Sequence, residues 1–226
     1  MTPICVITAH AGADSLEECL PSWGSDIPTY VIGGTTGMLA AYERAWHEHE
    51  AAIYCYLHDD VRIDDPVWWV RVLQEFEAPD VGVVGFGGAL VHGSPDLYRT
   101  PYRLQQVGRS GYLSNVEDAE VHGARFTGAR DVAVLDGFAL CVRRELLERA
   151  GGWPVEHLDY VGYDYFLSAV AHRLGYRCRV LGVKCHHYGG RTAVALKFRE
   201  NDNGEHERAH RYIYQQFVDV LPWRCA

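Results

Sequence analysis

The sequence predicts an α/β protein with a mostly parallel central sheet flanked by helices, and three observations predict it. Short apolar runs rich in β-branched residues alternate with helix-spaced stretches through the N-terminal part of the chain, the rhythm of βαβ units. The runs are continuous rather than alternating, as in strands covered on both faces. Small, acidic and histidine residues gather where those runs end, and open α/β sheets bind ligands outside the carboxyl ends of their strands.

The first strand is PICVITA (3–9). DSLEECLPSW (14–23) follows at helical spacing, with Asp14 or Ser15 as its cap. TYVIGG (29–34) is a second strand, GMLAAYERAWHEHE (37–50) a helix and AAIYCYL (51–57) a third strand. Asp64 and Asp65 precede PVWWVRVLQEF, so they read as a helix cap with Pro66 at the first helical position. VGVVGF (81–86) is a fourth strand. Residues 92–131 lack periodicity and are rich in Gly, Ser, Pro, Tyr and Arg, and a loop of that length is usually functional or mobile. VAVLDGFALCVRRELLERAGGWP (132–154) reads as a strand, a helix and a Gly-Gly stop. GYDYFLSAVAHRLGY (162–176) is a helix with its acid at the N-terminal end, and RCRVLGVKCHHYGG (177–190) a strand running into paired histidines. The tail, NGEHERAHRYIYQQFVDVL, is helical and amphipathic.

The totals narrow the function. The 226 residues suffice for one substantial domain. Lys+Arg 21 against Asp+Glu 30 gives a net charge of −9, with no basic block, which argues against nucleic-acid binding. Lys184 and Lys197 are the only lysines, so an anion would be met by arginine, backbone amides or a metal. Seven cysteines form no CxxC pair, which fits a reducing compartment. The N-terminus does not read as a signal peptide, and no apolar run reaches the ~18 residues of a membrane span. The expectation is a soluble, cytoplasmic protein.

Four places can carry chemistry. His58, Asp59 and Asp60 follow the third strand directly. A carboxylate there can hold a hard divalent cation against a diphosphate; the same residues can equally form a capped, solvated turn. His186 and His187 end a strand. Imidazole suits Mn²⁺ or Zn²⁺, and strand alternation allows only one of the two to bind; a packed or solvent-facing pair is the alternative. Asp164 is held charged by the helix dipole and driven the other way by aromatic neighbours. That tension suits a general base, or Asp164 is a plain N-cap. Asp136, followed by Gly137, either binds a hydroxyl-rich ligand or makes a turn. P-loop, GxGxxG and GxSxG signatures are absent.

The order of these segments resembles the family-2 glycosyltransferases with a GT-A fold, over residues 3–190 and most specifically over 134–190. LHDDV stands in the place of that family's metal-binding D-x-D motif, with His58 at its first position, and GYDYF resembles its catalytic-base segment. The resemblance implies one GT-A domain: a nucleotide-sugar-binding half (1–91), an acceptor and catalytic half (92–190) and a C-terminal helical tail (191–226). It implies a metal-dependent, inverting transfer from a nucleotide-diphosphate sugar to a glycan, lipid-linked, protein or small-molecule acceptor. Asp60 would bind the divalent cation, Mn²⁺ or Mg²⁺, with His186 or His187 completing the site. His58 and Asp59 would line the nucleotide or donor sugar. Asp136 and Gly137 would contact donor sugar or acceptor. Ala9, His10 and Gly34 would surround the nucleoside, and Asp164 would be the base. Where the family often has an acid after its second strand this chain has Gly33 and Gly34, and Tyr163–Asp164 replaces the commoner Glu–Asp pair.

Two rivals remain at this level. A nucleotidyltransferase that makes sugar nucleotides would want a Gly-rich loop with Arg and Lys after the first strand, which AHAGADS lacks. A non-catalytic sugar-binding or scaffold protein could keep the same fold.

Overall fold

The computed structural model describes residues 2–10, 15–35, 37–93, 111–117, 123–189 and 204–225. The first half follows the predicted order: β1 (Thr2–Ala9), α1 (Ser15–Cys19) continuing as a 3₁₀ turn over Leu20–Trp23, β2 (Thr29–Ile32), α2 (Met38–Glu48) and β3 (Ala51–Leu57). Asp14, one of the two expected caps of α1, lies outside the described residues. After β4 (Val61–Ile63), α3 (Trp68–Glu75) starts two residues later than Pro66 predicts. Asp65 explains the shift, because its Oδ1 accepts the Val67 N–H at 3.1 Å and its side chain pairs with Arg71. Asp64 does not cap; it lies in ion-pair range of Arg62, Lys184 and His186.

Next come β5 (Val81–Gly85), β6 (Gly87–Ala89) and β7 (Val91–His92). Residues 94–110 and 118–122 of the long irregular stretch lie outside the described residues. Its described parts are not all loop: they contain β8 (Tyr112–Ser114), β9 (Val116–Glu117) and most of β10 (Ala129–Val132). The strand predicted at residue 132 is divided into β11 (Val134–Leu135) and β12 (Ala139–Arg143) by a turn at Asp136–Gly137. Then follow α4 (Arg144–Ala150), α5 (Tyr163–Arg173), β13 (Arg177–Leu181), β14 (Cys185–His187), α6 (Glu205–Gln216) and β15 (Trp223–Arg224).

The central sheet has the order β10-β13-β5-β12-β3-β1-β2. β2, β1, β3, β5 and β13 run one way, while β12 and the edge strand β10 run against them. Alternation along the strands sorts side chains onto two cores. Cys5, Ile7, Tyr54, Tyr56, Leu140 and Val142 face α2, α4, α5 and α6. Ile4, Val6, Ile53, Cys55, Leu57 and Cys141 face Trp23, Trp68 and Val72 on the other side. Burial on both faces is why these strands read as unbroken apolar runs. A small sheet of order β4-β14-β9 lies beside the end of β3 and positions the paired histidines.

Candidate active site

β3 ends in a tight turn. The His58 N–H donates to the Phe138 carbonyl at 3.0 Å, and the Val61 N–H returns to the His58 carbonyl at 3.2 Å. Three consecutive side chains therefore leave in three directions. Asp59 faces the end of β1, where its Oδ2 lies 3.0 Å from His10 Nδ1. Asp60 faces β14, with its Oδ1 3.3 Å from His187 Nε2. His58 points to α5, its Nε2 sharing a 2.7 Å hydrogen bond with the Tyr163 hydroxyl.

The register of β14 decides between the paired histidines. His187 stands opposite Val61, and the Tyr188 N–H donates to the Asp60 carbonyl at 3.0 Å. His187 also stacks on Phe138 at 5.0 Å between ring centroids. His186, on the opposite face of the strand, has its Nε2 3.0 Å from Asp64 and 3.4 Å from Glu117. Of the two histidines, His187 is the one that lies beside Asp60. His58, expected to line the nucleotide or donor sugar, lies close to Asp60 and His187. One ligand atom from each of these three lies within 4.8 Å of the others.

The residues fit a divalent cation. Asp60 is 5% exposed, and its Oδ1 is buried with His187 Nε2 3.3 Å away in ion-pair range. Burial opposes the charge of Asp60, but His187 and His58 outweigh it and hold the carboxyl below its usual range. Burial, then the proximity of His187, pushes His58 down to about 4, so its imidazole is neutral and has a lone pair to give. Two imidazoles and a carboxylate form a borderline N/O donor set suited to Mn²⁺ more than to Mg²⁺. Asp59 is raised by burial in spite of His10.

Asp164 sits in the first turn of α5, after Gly162 in the left-handed conformation (φ 84°). It is 8% exposed, and its Oδ1 accepts the Tyr165 N–H at 2.9 Å. Burial, followed by the charge of Asp136, lifts the carboxyl to about 7 against the backbone amides of Tyr165, Asp164 and Gly137. Between helix dipole and aromatic burial, burial wins. Asp136 accepts the Tyr112 hydroxyl at 2.7 Å. A Cβ on Gly137 would collide with the Tyr163 hydroxyl, so a larger residue there requires that ring to shift. His58, Asp136, Gly137 and Asp164 line one cavity of about 190 Å³. Ala9 pairs with Ile32, the His10 N–H donates to Ile32, and Gly34 follows in the left-handed region (φ 69°), so all three lie at the same strand ends.

Sequence reasoning missed several supporting residues. Tyr163 was legible in principle, since a buried tyrosine hydroxyl needs a partner. His206 and His210, which also line the cavity, stand at i and i+4 on one face of a helix. Tyr112 lies in aperiodic sequence and gave no signal. Among the described residues no helix is long and apolar enough to cross a membrane.

This architecture, with an acidic site at the strand ends of a mostly parallel sheet, is the GT-A fold of glycosyltransferases. The mannosyltransferase PcManGT from Pyrobaculum calidifontis, solved in complex with GDP-Man and Mn²⁺, superposes with a TM-score of 0.58 at 17% identity, covering 97% of this chain and 69% of that one. TarS from S. aureus matches at 0.55 and 11%, covering 97% and 74%. GalNAc-T7 with UDP, GalNAc and Mn²⁺ matches at 0.58 and 9%, covering 83% of this chain and 44% of that one. No curated protein sequence matches the chain. The chain belongs to the glycosyltransferase-like family, whose model matches residues 12–210.

Proposed function

We propose that the protein transfers a sugar from a nucleotide-diphosphate donor to an acceptor hydroxyl, inverting the anomeric centre in a single displacement. The observation that carries this reading is the buried Asp60 carboxylate inside the His58–Asp60–His187 cluster, with His58 and Asp164 lining one cavity. A divalent cation bound there, Mn²⁺ or Mg²⁺, would offset the charge of the departing diphosphate. Complexes of related folds with GDP-Man, UDP-GlcNAc and Mn²⁺ support this donor class.

Each residue then has a task. Asp60, His58 and His187 hold the cation. Tyr163 occupies Nε2 of His58, so ligation through Nδ1 requires the tautomer that donates from Nε2 to the phenol oxygen. Asp59, steadied by His10, faces the nucleotide with Ala9 and Gly34 beside it. Asp136 and Gly137 position the donor sugar or the acceptor. Asp164 takes the proton from the attacking hydroxyl, and a base titrating near 7 is matched to that step. Residues 1–91 supply the donor half, completed by His187; 92–190 carry the base, and α6 closes the acceptor side. Seven free cysteines support a cytoplasmic setting. The acceptor is a glycan, lipid-linked sugar, protein or small molecule.

The test is thermal unfolding with GDP, UDP and their sugars in Mn²⁺, Mg²⁺ or chelator, on wild type and Asp60→Ala. A ligand at ~100 times its Kd adds about 2.7 kcal/mol. A metal-dependent shift with one nucleotide, lost in the variant, is expected. A shift that survives Asp60→Ala, or none with any nucleotide, overturns the assignment.

A further inference from the structure

The cavity in front of Asp164 has a wall that donor binding and proton transfer leave unused. His206 and His210, one turn apart on α6, both line it. α6 is seated there by close packing: a Cβ on Gly162 would lie 2.9 Å from Ile213 Cδ1 and 3.3 Å from Ala209 Cβ. The helix that bears the histidines therefore presses on the residue that starts the helix of Asp164. The His210 ring is 5.2 Å from that of Tyr165, the residue after Asp164. His210 is 3% exposed, and its Nδ1 is buried with no hydrogen-bond partner. Burial, with His206 adding to it, pushes the imidazole down to about 4, so it is neutral.

Charge and size narrow what fits. Asp136 and Asp164 line the cavity, and among the described residues no lysine or arginine does. A phosphate or carboxylate placed beside these two acids would be repelled by both. The volume of about 190 Å³ falls below the roughly 300–1,000 Å³ of pockets that enclose a drug-sized ligand. It admits one end of an acceptor, not a whole oligosaccharide.

We infer that His210 binds the reacting end of the acceptor, exchanging a hydrogen bond with a hydroxyl beside the one that attacks, and that this subsite takes an uncharged sugar ring and rejects a phosphorylated or carboxylated one. The inference rests on the transfer reading above. A cavity wall that hydrogen-bonds a hydroxyl through an uncharged imidazole favours ligands that carry one there over ligands that do not.

The test uses the full chain with Mn²⁺ and UDP or GDP, and reads nucleotide affinity and sugar binding separately. Nucleotide affinity is measured by calorimetry. Sugar binding is followed by saturation-transfer NMR with methyl α-glucoside, methyl α-mannoside and N-acetylglucosamine against glucose 6-phosphate and glucuronate. Wild type, His210→Phe and His210→Gln are compared; the phenylalanine fills the same space, and the glutamine keeps a donor and an acceptor. At least one neutral sugar is expected to bind the nucleotide-loaded wild type and no anionic one. His210→Phe weakens that sugar about tenfold or more, the loss of one hydrogen bond, His210→Gln restores part of it, and nucleotide affinity holds in both. Neutral-sugar binding unchanged in His210→Phe, anionic sugars binding as well as neutral ones, or no neutral sugar binding while nucleotide is bound, each overturns the inference. Failure of wild type to bind either nucleotide overturns the transfer reading instead.

Discussion

Tyr163 and His58 share a 2.7 Å hydrogen bond that ties the turn after β3 to the first residue of α5. The bond joins the cation cluster to the helix of Asp164. Tyr163 itself is fixed by an aromatic cage, with ring centroids 6.2 Å from Tyr42 and 6.3 Å from Trp153. Trp153 is held in turn by its backbone N–H donating to Glu43 Oε2 at 2.8 Å. Tyr163→Phe keeps the cage and removes only the hydroxyl. It is expected to lower Mn²⁺ affinity by about 10–100-fold, the usual effect of freeing a ligating histidine. The stability cost is about 1 kcal/mol. Calorimetric Mn²⁺ titration in the presence of GDP or UDP reads the first, and urea unfolding the second. An unchanged Mn²⁺ affinity would mean that the phenol does not orient His58.

Asp164 links activity to pH. Its carboxyl titrates near 7 in the folded protein and near 3.8 in the unfolded chain. Between those values the folded state binds the extra proton, so the residue makes stability fall as pH rises through that window and stay lowered above it. The three-unit shift corresponds to about 4 kcal/mol at most. Asp164→Asn is therefore expected to be more stable than wild type at pH 8 and no more stable at pH 4. It should also lose about 10²–10⁴-fold in transfer rate while still binding nucleotide. In wild type, kcat/KM should rise with pH to a plateau above about 7. Thermal melts at the two pH values and a pH–rate profile check both halves. A variant as active as wild type would remove Asp164 from the base role.

Gly137 tests how tightly the two halves of the site are fitted. An added Cβ meets the Tyr163 hydroxyl, carbon and ring edge together, and that ring is caged on its other sides, so it cannot yield freely. Overpacking of this kind costs about 1–3 kcal/mol. Gly137→Ala is expected to lose that stability and, by displacing the Tyr163 hydroxyl from His58, to weaken Mn²⁺-dependent nucleotide binding as Tyr163→Phe does. Combining the two substitutions should give less than the sum of their binding losses, because both act through one hydrogen bond. Fully additive losses would separate Gly137 from that bond.

What was legible in the sequence was what local pattern determines. β1, β3 and β5 are continuous apolar runs, so their existence could be read directly. Asp164 was readable because dipole and aromatic burial are both set by adjacent residues. The rest depends on distant partners. β12 runs antiparallel between β3 and β5, and no feature of ALCVR states its direction. Asp59 and Asp60 are chemically identical neighbours, and only His10 and His187, brought from elsewhere in the chain, give them different surroundings. Alternation said that one of His186 and His187 faces the site; the register of β14 against β4 says which. The start of α3 was misplaced because the Asp65 side chain caps the Val67 N–H, which Pro66 gives no hint of.

His92 predicts an acid weakness away from the chemistry. It is fully buried in β7, neither ring nitrogen has a hydrogen-bond partner, and its ring lies 5.6 Å from that of Tyr165. Burial, then the proximity of His172 and His210, pushes it down to about 3. His172 and His210 are themselves lowered, chiefly by burial. Between the ordinary histidine value of 6.5 and the lowered ones, the unfolded chain binds protons that the folded protein refuses. Stability is thus fully present above about pH 6.5 and falls as pH drops below it. For His92 alone the loss at pH 5 is about 2 kcal/mol relative to pH 7. His92→Leu removes that proton-binding difference and two unsatisfied nitrogens. It is expected to match or exceed wild-type stability at pH 7 and to lose about 2 kcal/mol less on going to pH 5. Urea unfolding at the two pH values measures the difference. Equal pH dependence in variant and wild type would show that His92 is not the proton acceptor on unfolding and would shift the acid sensitivity to His172 and His210.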